Sequence, residues 1–237
     1  MKNPKLFAFW EGQMPAYIQL CMETWRLPVT MLNYDNLHNY TDLKVDSNLK
    51  RFTLPKISDA VRAHVLRDQG GYWLDTDTVM LADSLGEYTI KGYPDTRDHT
   101  WGYLFAEMPG MEFYTKWAEY QDKVIANPNT VVNWPVLCRD FTDPYLKNEN
   151  LDISIAPIQH SWPETYLIPG DAPRYEKYRK LYFESAFTMK SFRPTDILML
   201  HNSWTPKWYK DLSAKEVLAS RYTLSNVLRA VLEPERE

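Results

Sequence analysis

Asp75 and Asp77 stand two residues apart in a stretch that is otherwise apolar and aromatic, with Tyr72-Trp73-Leu74 before them and Val79-Met80-Leu81 after. On a regular strand the two side chains share a face about 7 Å apart, at roughly 3.3 Å rise per residue. Left alone, such carboxylates repel each other and lose hydration. A hard divalent cation relieves both costs. Mg2+ or Mn2+ takes one or two carboxylates and completes its shell with substrate phosphates, so the chemistry expected here needs a phosphorylated ligand. Other residues with chemical reach flank the pair. Asp59 and Arg62 lie at i and i+3, which alone would be an ordinary surface ion pair worth about 0.2–0.5 kcal/mol. Trp10 ends the first apolar run, and His201 ends the run Ile197-Leu-Met-Leu, followed by Asn202, Ser203 and Trp204.

The elements that must position these residues follow from period and punctuation. Lys5-Leu-Phe-Ala-Phe-Trp10 predicts a buried first strand, Pro15 to Trp25 a helix with Ile18, Cys21, Met22 and Trp25 on one face, and Val29 to Tyr34 a second strand. Strand, helix, strand at this length is a right-handed βαβ unit, and ligands collect at the carboxyl ends of such strands. No Gly-x-Gly-x-x-Gly follows the first strand, which disfavours a dinucleotide dehydrogenase. Ser58 predicts a side-chain cap for a helix with Asp59 in its first turn, ended by Gly70-Gly71. The strand expected next carries both acids and continues to Leu81. Residues 35–54 predict a loop with a short helix, His99 to Ala106 a strand, and Met111 to Ile125 a helix.

In combination, Ser58-Asp59-x-x-Arg62, Leu66, Gly70-Gly71-Tyr72 and Asp75-x-Asp77 resemble the signature of glycosyltransferase family 32 and related capsular-polysaccharide sugar transferases. The string is similar as well to the catalytic domain of the large clostridial glucosylating toxins. The resemblance implies an α/β GT-A fold, a Rossmann-like mixed, mostly parallel sheet flanked by helices. It implies transfer from a nucleotide-diphosphate sugar, UDP-linked by preference, with retention of anomeric configuration and with Mn2+ or Mg2+ as cofactor. By the same resemblance Trp10 stacks on the base, Asp59 contacts donor-sugar hydroxyls, and Arg62 the sugar and diphosphate. Asp75 bridges metal, ribose and sugar, Asp77 binds the metal directly, and His201 completes the metal shell. Ser203 and Trp204 match the family's closing segment, with Trp204 at the phosphates; His160-Ser161-Trp162 echoes that pattern. Asn133-Trp134-Pro135 stands where the family has Gly-Pro, which assigns Asn133 to the donor and acceptor.

The whole chain sets bounds. With 237 residues and no Ser/Gly-rich linker, one domain spanning 1–237 is expected, residues 1–81 forming the nucleotide-sugar half and 82–237 the acceptor half with the closing segment. A net charge of −4 with scattered basic residues argues against nucleic acid as partner. The resemblance implies a glycan or lipid-linked acceptor, with a protein or a modified nucleic-acid base as the alternatives. Cys21 and Cys138 lack Cys-x-x-Cys spacing; a reduced cytoplasmic protein fits them, and a disulfide between them stays open. No apolar run reaches membrane-spanning length, so contact with a membrane would be peripheral. Asn133 to Phe141 predicts a helix with Pro135 in its first turn, Leu151 to Pro157 a strand, 160–170 an acceptor loop, and Tyr175 to Phe183 a helix bordering the cleft. Leu224, Val227, Leu228, Val231 and Leu232 form one helical face that should dock on the domain. Two rivals remain from other classes: a non-catalytic nucleotide-sugar-binding protein and a metal-dependent phosphohydrolase. The second lacks the further Asp/His clusters that two-metal hydrolases use.

Overall fold

The computed structural model describes residues 5–93, 98–147, 154–157 and 162–233. The expected βαβ unit opens the chain: β1 (Leu6–Phe9), α1 (Ala16–Glu23) and β2 (Val29–Leu32), with β1 and β2 parallel and in register from Leu6 against Val29 to Phe9 against Leu32. A short helix, α2 (Ser47–Lys50), capped by the Asp46 side chain, interrupts the polar segment that follows. The long helix α3 (Leu54–Gln69) then leads to β3 (Gly71–Leu74), which pairs parallel with the other side of β1.

The start of α3 corrects the sequence expectation. Thr53 is the N-cap residue and Pro55 occupies the first turn, so Ser58 lies inside the helix and Asp59 beyond its first turn. Proline is preorganised for that position and needs no side-chain cap. The stop is where the glycines place it. Gly70 and Gly71 have φ of +63° and +88°, and a Cβ on Gly71 would run into the carbonyl oxygen of Lys5. Only glycine lets the chain turn back this tightly against β1.

A second correction concerns the acids. The strand expected from Tyr72 to Leu81 is two strands in two sheets: after β3, Asp75 to Asp77 make a turn, and β4 (Thr78–Met80) departs to pair with a late strand. The turn closes with Thr78 N–H donating to the Asp75 carbonyl at 3.1 Å, while Asp75 N–H still donates to Gly102 O at 2.8 Å.

The main sheet is completed by β5 (Ile90–Tyr93), β6 (Asp98–Ala106) and β7 (Ile155–Pro157), in the order β2-β1-β3-β6-β5-β7. Pairings β1–β2, β1–β3 and β5–β7 are parallel, and β6 runs antiparallel to β3 and β5. The sheet is thus mixed and mostly parallel, flanked by helices, as a GT-A-like fold requires. Alternation places Phe7, Trp73 and Leu104 on the face covered by α3 and by α4 (Glu112–Ala126), and Leu6, Tyr72, Leu74 and Tyr103 on the other, with Trp25 and Met80. Both faces are buried, which explains the unbroken apolar runs.

Beyond α4 the elements are short. The expected helix at Asn133 begins later, as α5 (Arg139–Tyr145). The strand expected from Leu151 is seen as β7, residues 151–153 lying outside the described set, as do His160 and Ser161. The expected loop 160–170 contains α6 (Pro163–Leu167), with Pro163 in its first turn. α7 (Arg174–Arg179) runs into a π-helical turn, Lys180–Glu184. β8 (Ile197–Met199) then pairs antiparallel with β4. After α8 (Lys207–Lys210) and α9 (Ala214–Ala219, with the Ser213–Glu216 capping box), α10 (Thr223–Leu232) buries Leu224, Val227 and Leu228 completely. That helix docks, its apolar face in a cluster with Tyr17, Val79, Tyr182 and Leu198. Cys21 and Cys138 are both buried free thiols, so the disulfide left open by the sequence is not formed. Among the described residues no helix is long and apolar enough to cross a membrane.

Candidate active site

A cavity of about 830 Å³ opens where the carboxyl ends of β1 and β3 meet the start of α3 and the segment after β8. Trp10, Asp59, Arg62, Asp75, Asp77, His201, Ser203 and Trp204 all line it.

Arg62 is its organising cation. The side chain is only 5% exposed, and every nitrogen faces a protein acceptor. Nη2 lies 3.1 Å from Asp59 Oδ1 and 3.1 Å from Asp75 Oδ1, Nη1 donates to the Trp101 carbonyl, and Nε donates to Ser58 O at 3.4 Å. The helix supplies this geometry, since Asp59 and Arg62 are one turn apart on the face toward β3. Burial works against the Arg62 charge, but the carboxylates of Asp75 and Asp59 outweigh it and raise its pKa.

The carboxylates pay the electrostatic cost. Asp59 is pushed up to about 6, chiefly by burial, with Arg62 pulling the other way and Asp75 adding repulsion. Asp77 is raised as well, by burial first and then by the Asp75 charge. It is held in place by Asn202 N–H, donating to Oδ2 at 2.8 Å, and by Leu200 N–H, donating to its carbonyl at 3.0 Å. Asp75 accepts from Trp73 Nε1–H at 2.9 Å. Beneath it Gly102 leaves no room for a side chain: a Cβ there would sit 2.8 Å from Asp75 Oδ2. Asp59 and Asp75 thus share the Arg62 guanidinium with Asp77 close by, an arrangement that a hard cation on Asp75 and Asp77 would relieve. The oxygen donors fit Mn2+ or Mg2+ completed by phosphate oxygens.

His201 does not join them. Among the described residues no three His, Cys, Asp or Glu side chains come together as a metal-holding group. His201, grouped with Asp75 and Asp77 by the resemblance, lines the same cavity but is engaged elsewhere. The reason is local: His201 Nε2 lies 2.9 Å from Arg174 Nη2, and its ring packs against Trp162 and Trp204 with centroids 5.6 Å and 4.1 Å away. Burial, followed by the Arg174 charge, lowers its pKa to about 3, so the imidazole is neutral and accepts through Nε2. Asn133 is likewise placed elsewhere; it is exposed, and its neighbour Trp134 lines the cavity instead.

Trp10 sits at the end of β1 with its backbone N–H donating to Leu32 O at 3.0 Å, and its buried indole Nε1–H has no partner among the described residues. Sequence reasoning missed Arg174, Glu164 and Trp162 as a unit. Arg174 Cζ lies 3.0 Å from the Trp162 ring centroid, and Nε lies 2.7 Å from Glu164 Oε1. The only available signal was the aperiodic segment before Tyr175, and nothing in it singles out Arg174.

No curated protein matches the chain. Residues 1–154 match the family described as capsular polysaccharide synthesis protein, a span that includes Trp10, Asp59, Arg62, Asp75 and Asp77 and stops short of His201. That match spans more than half of the 237 residues, and the chain belongs to the capsular polysaccharide synthesis protein family.

Proposed function

We propose that the protein is a metal-dependent, retaining glycosyltransferase that moves a sugar from a UDP-sugar or related nucleotide-diphosphate sugar to a glycan or lipid-linked acceptor. The observation that carries this reading is the convergence of Asp59, Arg62, Asp75 and Asp77 in one cavity with Trp10 at its edge. Family membership supports a role in polysaccharide biosynthesis. In this reading Asp75 and Asp77 hold Mn2+ or Mg2+. The ion, when bound, neutralises charge that develops on the departing diphosphate as the sugar C1–O bond breaks.

The chain's own residues do the rest. Trp10, at the end of β1 and on the cavity wall, stacks on the nucleotide base. Arg62, with all its nitrogens turned to protein acceptors, fixes the directions of Asp59 and Asp75 in place of the direct sugar and phosphate contact expected from the resemblance. Asp59, freed of its proton above about pH 6, accepts from donor-sugar hydroxyls. The backbone of Asn202 holds Asp77, so the segment carrying Ser203 and Trp204 is tied to the acid pair and lies against the diphosphate. The acceptor hydroxyl attacks C1 on the face from which the diphosphate departs and passes its proton to the departing diphosphate oxygen.

The test is turnover with a panel of UDP-sugars and Mn2+, following release of nucleoside diphosphate and reading the product anomer by NMR. A product with the donor's anomeric configuration is expected. An inverted anomer contradicts the retaining step, and release of free phosphate without any sugar transfer would favour a hydrolase.

A further inference from the structure

Arg62 and Arg174 line one cavity, yet their environments differ. Arg62 has no nitrogen to spare. Arg174 donates through Nε to Glu164 and through Nη2 to the neutral His201, and Nη1 has no protein acceptor among the described residues. The Glu164 carboxylate is 2% exposed and sits behind the guanidinium, whereas the Arg174 side chain is 33% exposed and borders the cavity. Trp162 carries the guanidinium plane on its face, and the Trp204 ring centroid is 5.4 Å from Cζ. A cation held by a buried carboxylate on one side and by stacking below is preorganised, with its open edge toward the cavity. Planar, preorganised guanidinium edges suit the paired oxygens of phosphates.

We propose that Arg174 is a phosphate-binding residue of this cavity, with Trp162 and Glu164 as its positioning residues. Its ligand is a phosphate group on a small molecule: the diphosphate of the donor, or the phosphate of an isoprenoid-phosphate acceptor. The assignment rests on the transferase reading for the identity of those molecules, and on the geometry alone for the anion. His201 takes part as a neutral acceptor that keeps Nη2 aligned and adds no competing charge.

Calorimetric titration of the full chain in the presence of Mg2+ tests this with four probes: inorganic pyrophosphate, UDP, uridine, and a short-chain polyprenyl phosphate. Glu164→Gln combined with Arg174→Gln removes both charges, so no carboxylate is left buried and unpaired. Arg174→Lys keeps the ion pair with Glu164 and loses only the planar fork, so it reports even if the double variant does not fold. Loss of one charge-assisted contact predicts affinity for a phosphate probe about tenfold or more weaker in the double variant, a smaller loss in Arg174→Lys, and uridine unchanged. Weakening confined to pyrophosphate and UDP assigns the donor; weakening confined to polyprenyl phosphate assigns the acceptor. Phosphate affinities equal to wild type in Arg174→Lys and the double variant would overturn the proposal while leaving the transferase reading standing. Arg174-dependent binding of pyrophosphate by a wild type that ignores UDP would do the reverse. A wild type that binds no phosphate probe overturns both.

Discussion

Asp59 is the residue whose environment makes the sharpest statement about the site. Its carboxyl is raised from 3.8 to about 6, first by burial, with Arg62 opposing and Asp75 reinforcing the shift. Because the folded value lies above the unfolded one, the unfolded chain gives up this proton first as pH rises. Stability supplied by the protonated group is therefore present in full below about pH 4, falls between about 4 and 6, and changes no further above that. Asp59→Asn cannot titrate, so urea midpoints should show wild type losing ground to the variant across that window and holding a constant difference beyond it. Parallel profiles would mean that Asp59 is not buried as described. Individual residues were legible in the sequence where their type was costly in context. Asp75 and Asp77 stand out because acids inside an apolar run need a reason. The surroundings of His201 were not legible, because the sequence shows a histidine at a strand end but not the guanidinium that faces it, 27 positions earlier in the chain. Arg174 could not be found at all, since exposed arginines are common and only its placement on Trp162 distinguishes it.

At the scale of elements, the site depends on sharp changes of direction. β1, α1, β2, α3 and its glycine stop could be read because period, proline and glycine each leave a local mark. The break between β3 and β4 could not: apolar residues on both sides of the acids look like one strand, and only the pairing of β4 with β8, about 120 residues later, pulls the chain out of the main sheet. That break brings Asp77 to Asn202, and its far end is fixed by Trp25 Nε1–H donating to Thr78 O at 2.7 Å and Met80 N–H donating to Thr24 Oγ1 at 2.8 Å. The junction of α3 with β3 is equally constrained. Gly71→Ala forces a side chain into φ of +88° and against Lys5 O, and should destabilise the fold by about 1–3 kcal/mol, read as a lower midpoint in thermal or urea unfolding. An unchanged midpoint would place the β1–β3 contact differently from the structure.

For the molecule as a whole, one cavity is built from two parts of the chain. The family match over residues 1–154 covers the βαβ unit, α3 and both acids, while β8 and the segment through Trp204 come from the remainder and close the cavity from the other side. The first part was readable because α3 and α4 are long enough to show a period and β1, α1 and β2 follow one another as a βαβ unit. In the second part the helix near Tyr175 and the closing apolar face were readable, whereas α6, α8 and α9 are helices of four to six residues, too short to leave a period, and are placed by burial among residues distant in sequence. In the proposed function this two-part cavity holds a nucleotide-diphosphate sugar through a cation on Asp75 and Asp77. The most direct measurement is the melting temperature of wild type and Asp77→Asn with a panel of nucleotide sugars and nucleoside diphosphates, each with and without Mn2+. A donor held through the cation gives a rise that requires Mn2+ and vanishes in Asp77→Asn, whose fold is otherwise intact; a rise that persists without Mn2+ and in the variant, or no rise with any donor, would rule out that mode of binding.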